Sequence, residues 1–278
     1  VGWYSDYNYM PSGHDDKNPI VSKGLIRMPM KLMIDLSGEL GLNTEKIPKW
    51  QHILDHLPPA ETFMSEGEPI LRGIEGSEEL RELSLEYMYP VGEIGKYTTP
   101  ELFEAAKNTH RRLSIWDSHN RFCSYYPMAA RLEYHPDEIV AHIHETIEKR
   151  GLPNGMFRYM GGGLENSAAI PATVNEMLLQ SYEGIIRLFP VWDKKRDARF
   201  SGLRAKGAFV IDAELENGRI QAEILSERGM PLTLEVPEGG CTLIMGDGRQ
   251  IHASEERFVT VDTEMGERIR IRAERILN

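Results

Sequence analysis

The residues best placed to do chemistry lie between Met160 and Tyr182, where Gly161-Gly162-Gly163 runs into Leu164-Glu165-Asn166-Ser167. A run of glycines opens backbone conformations closed to other residues and lets the chain come close to a ligand. Asn166 or Ser167 can cap a helix that follows, because Val174, Met177, Leu178 and Tyr182 recur at helical spacing. Glu165 thus sits at a loop-to-helix junction, kept open by the loop and held in place by the helix. Its carboxylate is available there to a substrate; its simpler role is to complement the positive end of the helix dipole.

Other chemistry-bearing residues are scattered. Trp3, Tyr4, Tyr7 and Tyr9 crowd an aperiodic opening stretch. Their rings could form a wall for stacking sugars, or pack against protein upstream of this chain. His142 and His144 are two residues apart on a helix and point to different sides, which argues against a shared metal. The glycine run resembles an anion nest, yet no Gly-Lys-Ser/Thr follows it, and no Gly-x-Ser-x-Gly elbow occurs anywhere. Cys123 and Cys241, one in a predicted helix and one in a predicted strand, make neither a disulfide framework nor a zinc set. No metal or other cofactor is expected.

The elements that position these residues follow from hydrophobic spacing. Leu25, Met28, Leu32, Leu36 and Leu40 predict a helix from Ile20 to Leu40, with Ile26 and Met33 on a second face, so that it is buried on two sides and stopped by Gly41. A second helix runs from a cap near Asn43 or Thr44 through Trp50, Ile53 and Leu54 to Pro58-Pro59. Glu61 to Glu86 is an acidic excursion with one short strand at Pro69-Ile70-Leu71. A third helix starts at Thr99-Pro100-Glu101, with Thr99 as its cap, and a fourth covers Asp117 to Leu132. A fifth opens at His135-Pro136 and ends at Gly151, and the sixth follows Glu165.

After Gly184 the apolar period changes from 3.6 to 2. Phe209, Ile211, Ala213 and Leu215 alternate with polar residues, Asn217-Gly218 is a type I′ hairpin dipeptide, and Ile220, Ala222 and Ile224 alternate again. Leu232 to Val236, Leu243 to Met245, Val259 to Val261 and Ile269 to Ile271 continue the pattern. The expectation is an α+β chain of two domains, helical over 1–183 and an antiparallel β-sandwich over 184–278.

A chain of 278 residues can bury an ample core, and a formal charge of −11 disfavours nucleic acid and anionic membrane surfaces as partners. Neutral sugars remain natural ligands. No apolar run approaches the roughly 18 residues of a membrane span. The chain opens on Val1 with no charged and apolar leader, so its natural start, and an upstream part of the same polypeptide, is expected to be missing.

Glu176-Met177-Leu178-Leu179-Gln180-Ser181, Leu188-Phe189-Pro190 and Gly202-Leu203-Arg204-Ala205-Lys206-Gly207 resemble glycoside hydrolase family 95, the inverting α-L-fucosidases and their relatives. A weaker likeness reaches back through Met128-Ala129-Ala130-Arg131-Leu132 to Thr99. The resemblance implies that the six helices are three hairpins of an (α/α)6 six-hairpin toroid, present in part, ahead of a C-terminal β-domain. It implies a carbohydrate substrate and favours a secreted or periplasmic setting.

In that family an Asp of an Asp-Gly-Asn-Phe-Gly segment is the catalytic base, and the ungapped register places Glu165 on it. The carboxylate is one methylene longer here, and the family's two glycines are absent. An inverting glycosidase also needs a carboxylic acid roughly 6.5–9.5 Å away to protonate the leaving oxygen. Counting back from Leu25-Ile26-Arg27 places Asp6 near the family's acid, with Asp15 and Asp16 as competitors; the simpler role of each is that of a surface or capping carboxylate. Trp3, Tyr4, His119, Asn120 and Asn166 are the substrate-binding candidates, His119 and Asn120 standing where the family has Trp and Ser at a helix head. The expected function is exo-acting inverting glycoside hydrolysis of the α-L-fucosidase type. The alternatives are a non-catalytic carbohydrate-binding or structural fragment and an inverting disaccharide phosphorylase, in which phosphate replaces the base.

Overall fold

The structure is a computed structural model that describes residues 17–116, 122–158 and 164–273; at 122, 123, 165 and 166 it describes the backbone only. Two compact units divide between Ile115 and Trp116.

In the first unit, α1 (Ile20–Leu40) ends on Gly41 in the left-handed region and forms an antiparallel hairpin with α2 (Ile47–His56). A β-hairpin follows, β1 (Thr62–Ser65) and β2 (Glu68–Leu71), where one strand was expected. A 3₁₀ segment over Glu82–Tyr87 leads to α3 (Pro100–Leu113). Thr99 precedes α3 but does not cap it, because its hydroxyl accepts from the Gly95 amide at 3.0 Å.

The expectation that the apolar stripe of α1 lies inside is overturned. Leu25, Met28, Leu32, Leu36 and Leu40 are all exposed, and the buried positions are Ile20, Val21, Lys23, Gly24 and Ser37. The reason is local packing. A Cβ on Gly24 would fall 2.8 Å from both Tyr87 and Val91, so only a glycine lets α1 come this close on that side. Lys23 then donates to the Pro59 carbonyl, Arg27 to that of Leu57, and Lys31 pairs with Glu93, all from the polar side.

The second unit opens with α4 (Phe122–Arg131), α5 (Pro136–Arg150) and α6 (Leu164–Leu178). α6 already includes Leu164, so Asn166 and Ser167 lie within the helix rather than capping it. Leu, Glu and Ala are good helix formers and carry the helix back toward the glycines. The chain turns from helix to strand at Leu178, where β3 (Leu179–Gln180) begins, and β3 pairs with β4 (Arg187–Leu188).

β5 (Ala198–Ala205), β6 (Phe209–Glu216), β7 (Arg219–Ser226), β9 (Cys241–Ile244), β10 (Gln250–Ala253) and β12 (Arg268–Ala273) make one antiparallel sheet in the order β10-β9-β12-β7-β6-β5. β8 (Leu232–Glu235) and β11 (Phe258–Val261) form a separate two-stranded ribbon. Asn217 and Gly218 both take positive φ between β6 and β7, as a type I′ turn requires. The inward residues of sheet and ribbon share one core with Leu178, Ile186, Leu188 and Phe189. The helical stretch expected over 1–183 is therefore divided between the units, its last three helices folding with the sheet.

β5 went unread because its register shifts between Phe200 and Leu203. Ser201 and Gly202 form the irregularity, Gly202 at φ +69, and break the period-2 pattern.

Candidate functional site

α6 carries Glu165 and Asn166 on its first described turn, and the rest of the helix fixes where that turn lies. Ala169, Thr173 and Met177 are buried, and α6 packs along α4, whose Ala129 and Ala130 are fully buried. Small residues let the two helices approach closely. At the far end Arg131 holds Glu176 in a two-pronged ion pair, Nη2 to Oε1 at 2.8 Å and Nε to Oε2 at 3.0 Å. Gln180, also buried, donates to the Ala130 carbonyl at 3.3 Å and to that of Glu176 at 3.0 Å.

Tyr182 continues the anchor. The Arg131 and Arg187 guanidiniums lie 5.0 and 4.3 Å from its ring centre, and burial pushes its hydroxyl well above the ordinary tyrosine range. Arg187 pairs with Glu183 at 2.5 Å and Glu235 at 2.9 Å. Ser181 Oγ accepts from the Lys206 amide at 3.0 Å, and the Phe189 amide donates to the Leu178 carbonyl at 2.7 Å. The segments Met128–Leu132, Glu176–Ser181, Leu188–Pro190 and Gly202–Gly207 thus meet around the C-terminal end of α6, the first of them from more than forty residues upstream of the others.

A second fixed point precedes α4. Trp116 is buried with His142 stacked on it, centroids 4.1 Å apart and planes 10° apart, and with Tyr125, Tyr126 and Tyr134 edge-on around it. Tyr126 donates its hydroxyl to the His142 carbonyl at 3.0 Å and shares a 2.7 Å hydrogen bond with Thr146 Oγ1. His142 is thereby occupied by packing, while His144 is exposed. Among the described residues no group of three or more His, Cys, Asp or Glu side chains could hold a metal.

Of the residues singled out from sequence, Glu165 and Asn166 lie on one turn of α6. Trp3, Tyr4, Asp6, Asp15, Asp16, His119 and Asn120 lie outside the described residues. Sequence reading missed the aromatic cluster around Trp116 and the outer face of the six-stranded sheet. The second was signalled by Arg268-Ile-Arg-Ile-Arg272, read only for its two isoleucines. That face holds a groove of about 530 Å³ between β5, β6, β7 and β12. Asp212 stands in it, its carboxyl held below the usual range by hydrogen bonds from Ser201 Oγ and the Gly202 amide, both 2.6 Å.

No family model and no curated protein matches the chain. Among solved structures, a GH30 endoxylanase from Clostridium papyrosolvens C71 aligns with 44% of this chain and 31% of its own, at 8% identity and a TM-score of 0.22. This is a weak structural similarity to a glycoside hydrolase, and it spans less than a third of that protein's length.

Proposed function

We propose that this chain takes part in hydrolysing glycosidic bonds, as part of an exo-acting, inverting glycosidase of the α-L-fucosidase type. The observation that supports this reading is the convergence around α6. The segments that carry the family 95 resemblance are dispersed in sequence, yet they hold one another through Arg131–Glu176, Gln180–Ala130 and Ser181–Lys206. The helix so anchored bears a carboxylate on its first described turn, directly after three glycines.

On this reading Glu165 takes a proton from water as the water attacks the anomeric carbon, and Asp6 or Asp16 protonates the departing oxygen. The amino end of a helix is a favourable place for an anionic carboxylate. Asn166, Trp3, Tyr4, His119 and Asn120 are the proposed contacts to substrate hydroxyls and ring faces. An (α/α)6 toroid and a β-sandwich are the proposed frames for the helices and the sheet.

The test is turnover of aryl α-L-fucosides and related glycosides, with NMR reading the anomer formed first. Inversion is expected, and Glu165→Gln should lower the rate by about 10²–10⁴-fold with sugar binding retained, the usual cost of losing a general base. Hydrolysis by the Gln variant within about threefold of wild type would remove Glu165 from the role. Turnover that needs inorganic phosphate would identify a phosphorylase instead. Sugar binding without any turnover would favour a non-catalytic module, a reading to which the longer side chain at position 165 also lends weight.

A further inference from the structure

We infer that the outer face of the six-stranded sheet binds an acidic saccharide, one whose sugar rings carry widely spaced carboxylates. For the class of ligand this rests on the carbohydrate reading above; the site itself stands apart from Glu165.

Along β12 side chains alternate, so Arg268, Arg270 and Arg272 all point outward while Ile269 and Ile271 are buried. Successive outward residues on a strand are about 6.6 Å apart. The register sets Gln221 opposite both Arg272 and Glu214, and Glu214 opposite Arg199, so one row crosses four strands from β5 to β12. At about 4.8 Å per strand, Arg199 and Arg272 stand about 14 Å apart at the two ends of that row. Arg270 occupies the next row, opposite Glu223. Arg199, Glu214, Gln221, Glu223, Arg270 and Arg272 line the groove.

The arginines of the groove differ in pairing from Arg268 and Arg204 on the same sheet. Arg268 is paired with Glu223 and Arg204 with Glu227, whereas Arg199, Arg270 and Arg272 have no ion-pair or hydrogen-bond partner among the described residues. Asp212 is already taken by Ser201 and Gly202. The groove therefore offers three unspent guanidiniums around Glu214 and Gln221. A guanidinium fork suits a carboxylate, which it can bind by two parallel hydrogen bonds.

The groups between the cations narrow the ligand class. Glu214 repels a densely charged chain but accepts hydrogen bonds from hydroxyls, and the Gln221 amide both donates and accepts. Among the described residues no exposed ring lines the groove to stack a base, Phe200 being buried against Phe189. Carboxylates separated by hydroxyl-bearing rings match this arrangement, as in a uronate oligosaccharide.

The experiment is calorimetric titration of the full chain with a defined oligogalacturonate. The same oligomer with its carboxyls reduced to alcohols, an oligoglutamate and a single-stranded oligonucleotide of equal charge serve as comparisons. Tightest binding is expected for the uronate, weakened about tenfold or more by Arg270→Gln and again by Arg272→Gln, as loss of a charged hydrogen bond predicts. Both side chains are exposed and have no ion-pair partner among the described residues, so thermal unfolding should not change. Arg204→Gln on the same sheet and Glu165→Gln should leave uronate binding intact. Uronate binding that survives both Arg270→Gln and Arg272→Gln would overturn the inference, as would equal affinity for the reduced oligomer, the oligoglutamate or the oligonucleotide. Binding of the uronate in a chain that hydrolyses nothing would sustain this site while the hydrolase reading falls; glycoside turnover without uronate binding would do the reverse.

Discussion

Lys194 shows how one side chain can be set by its neighbourhood. Its ammonium donates to the Phe189 carbonyl, and burial, only partly opposed by Glu238, lowers its pKa from 10.5 to about 8. Below pH 8 the lysine is charged in both states, and the folded state carries the desolvation cost. Between pH 8 and about 10.5 the unfolded chain binds more protons than the folded one, so this group adds stability as pH rises. We expect Lys194→Met to gain on wild type most below pH 8. That advantage should shrink by up to about 3 kcal/mol as pH approaches 10.5. Denaturant unfolding of both proteins at several pH values checks this, and a difference independent of pH would refute it. None of this was legible in sequence, because Lys194 lies in an aperiodic stretch where nothing marks it as buried.

At the scale of elements, β3, β4 and β8 meet around Arg187, which is 4% exposed like its partner Glu183. A buried ion pair adds little net stability, but removing one member leaves the other charged and unpaired. Arg187→Met should therefore cost about 3–5 kcal/mol, and adding Glu183→Gln should recover part of the loss. Chemical denaturation of the single and double variants decides; a double variant less stable than the single would sink the argument. The same scale shows what local pattern conveys. β6 and β7 were readable because every second residue is buried and Asn217-Gly218 sets the turn. β5 was not, because its irregularity at Ser201-Gly202 moves the buried positions out of phase.

For the molecule as a whole, α1 poses the largest departure from pattern. Its apolar stripe, with Leu32 55% and Leu40 64% exposed, faces away from the core of its own unit. The double variant Leu32→Glu, Leu36→Glu should stay within about 0.5 kcal/mol of wild type, as exposed positions do. Leu85→Ala, at a buried position in the same unit, should cost about 2–5 kcal/mol. Thermal unfolding of the two variants distinguishes the cases, and a large loss in the first would mean that the stripe is covered in solution.

The sequence by itself determined the element types that repeat regularly: the helices of α1, α3 and α5, the β6–β7 hairpin and the alternation of the later strands. Periodicity and turn chemistry are local, and so are the forces that set them. It also pointed to Glu165 through the glycines before it and the helix after it. Only the tertiary structure decided which face of α1 is buried, since that depends on how closely Tyr87 and Val91 approach Gly24. Only it brought Arg131 to Glu176, and Arg199 into one groove with Arg270 and Arg272. Those meetings depend on strand order and helix packing, which join residues that no sequence spacing relates.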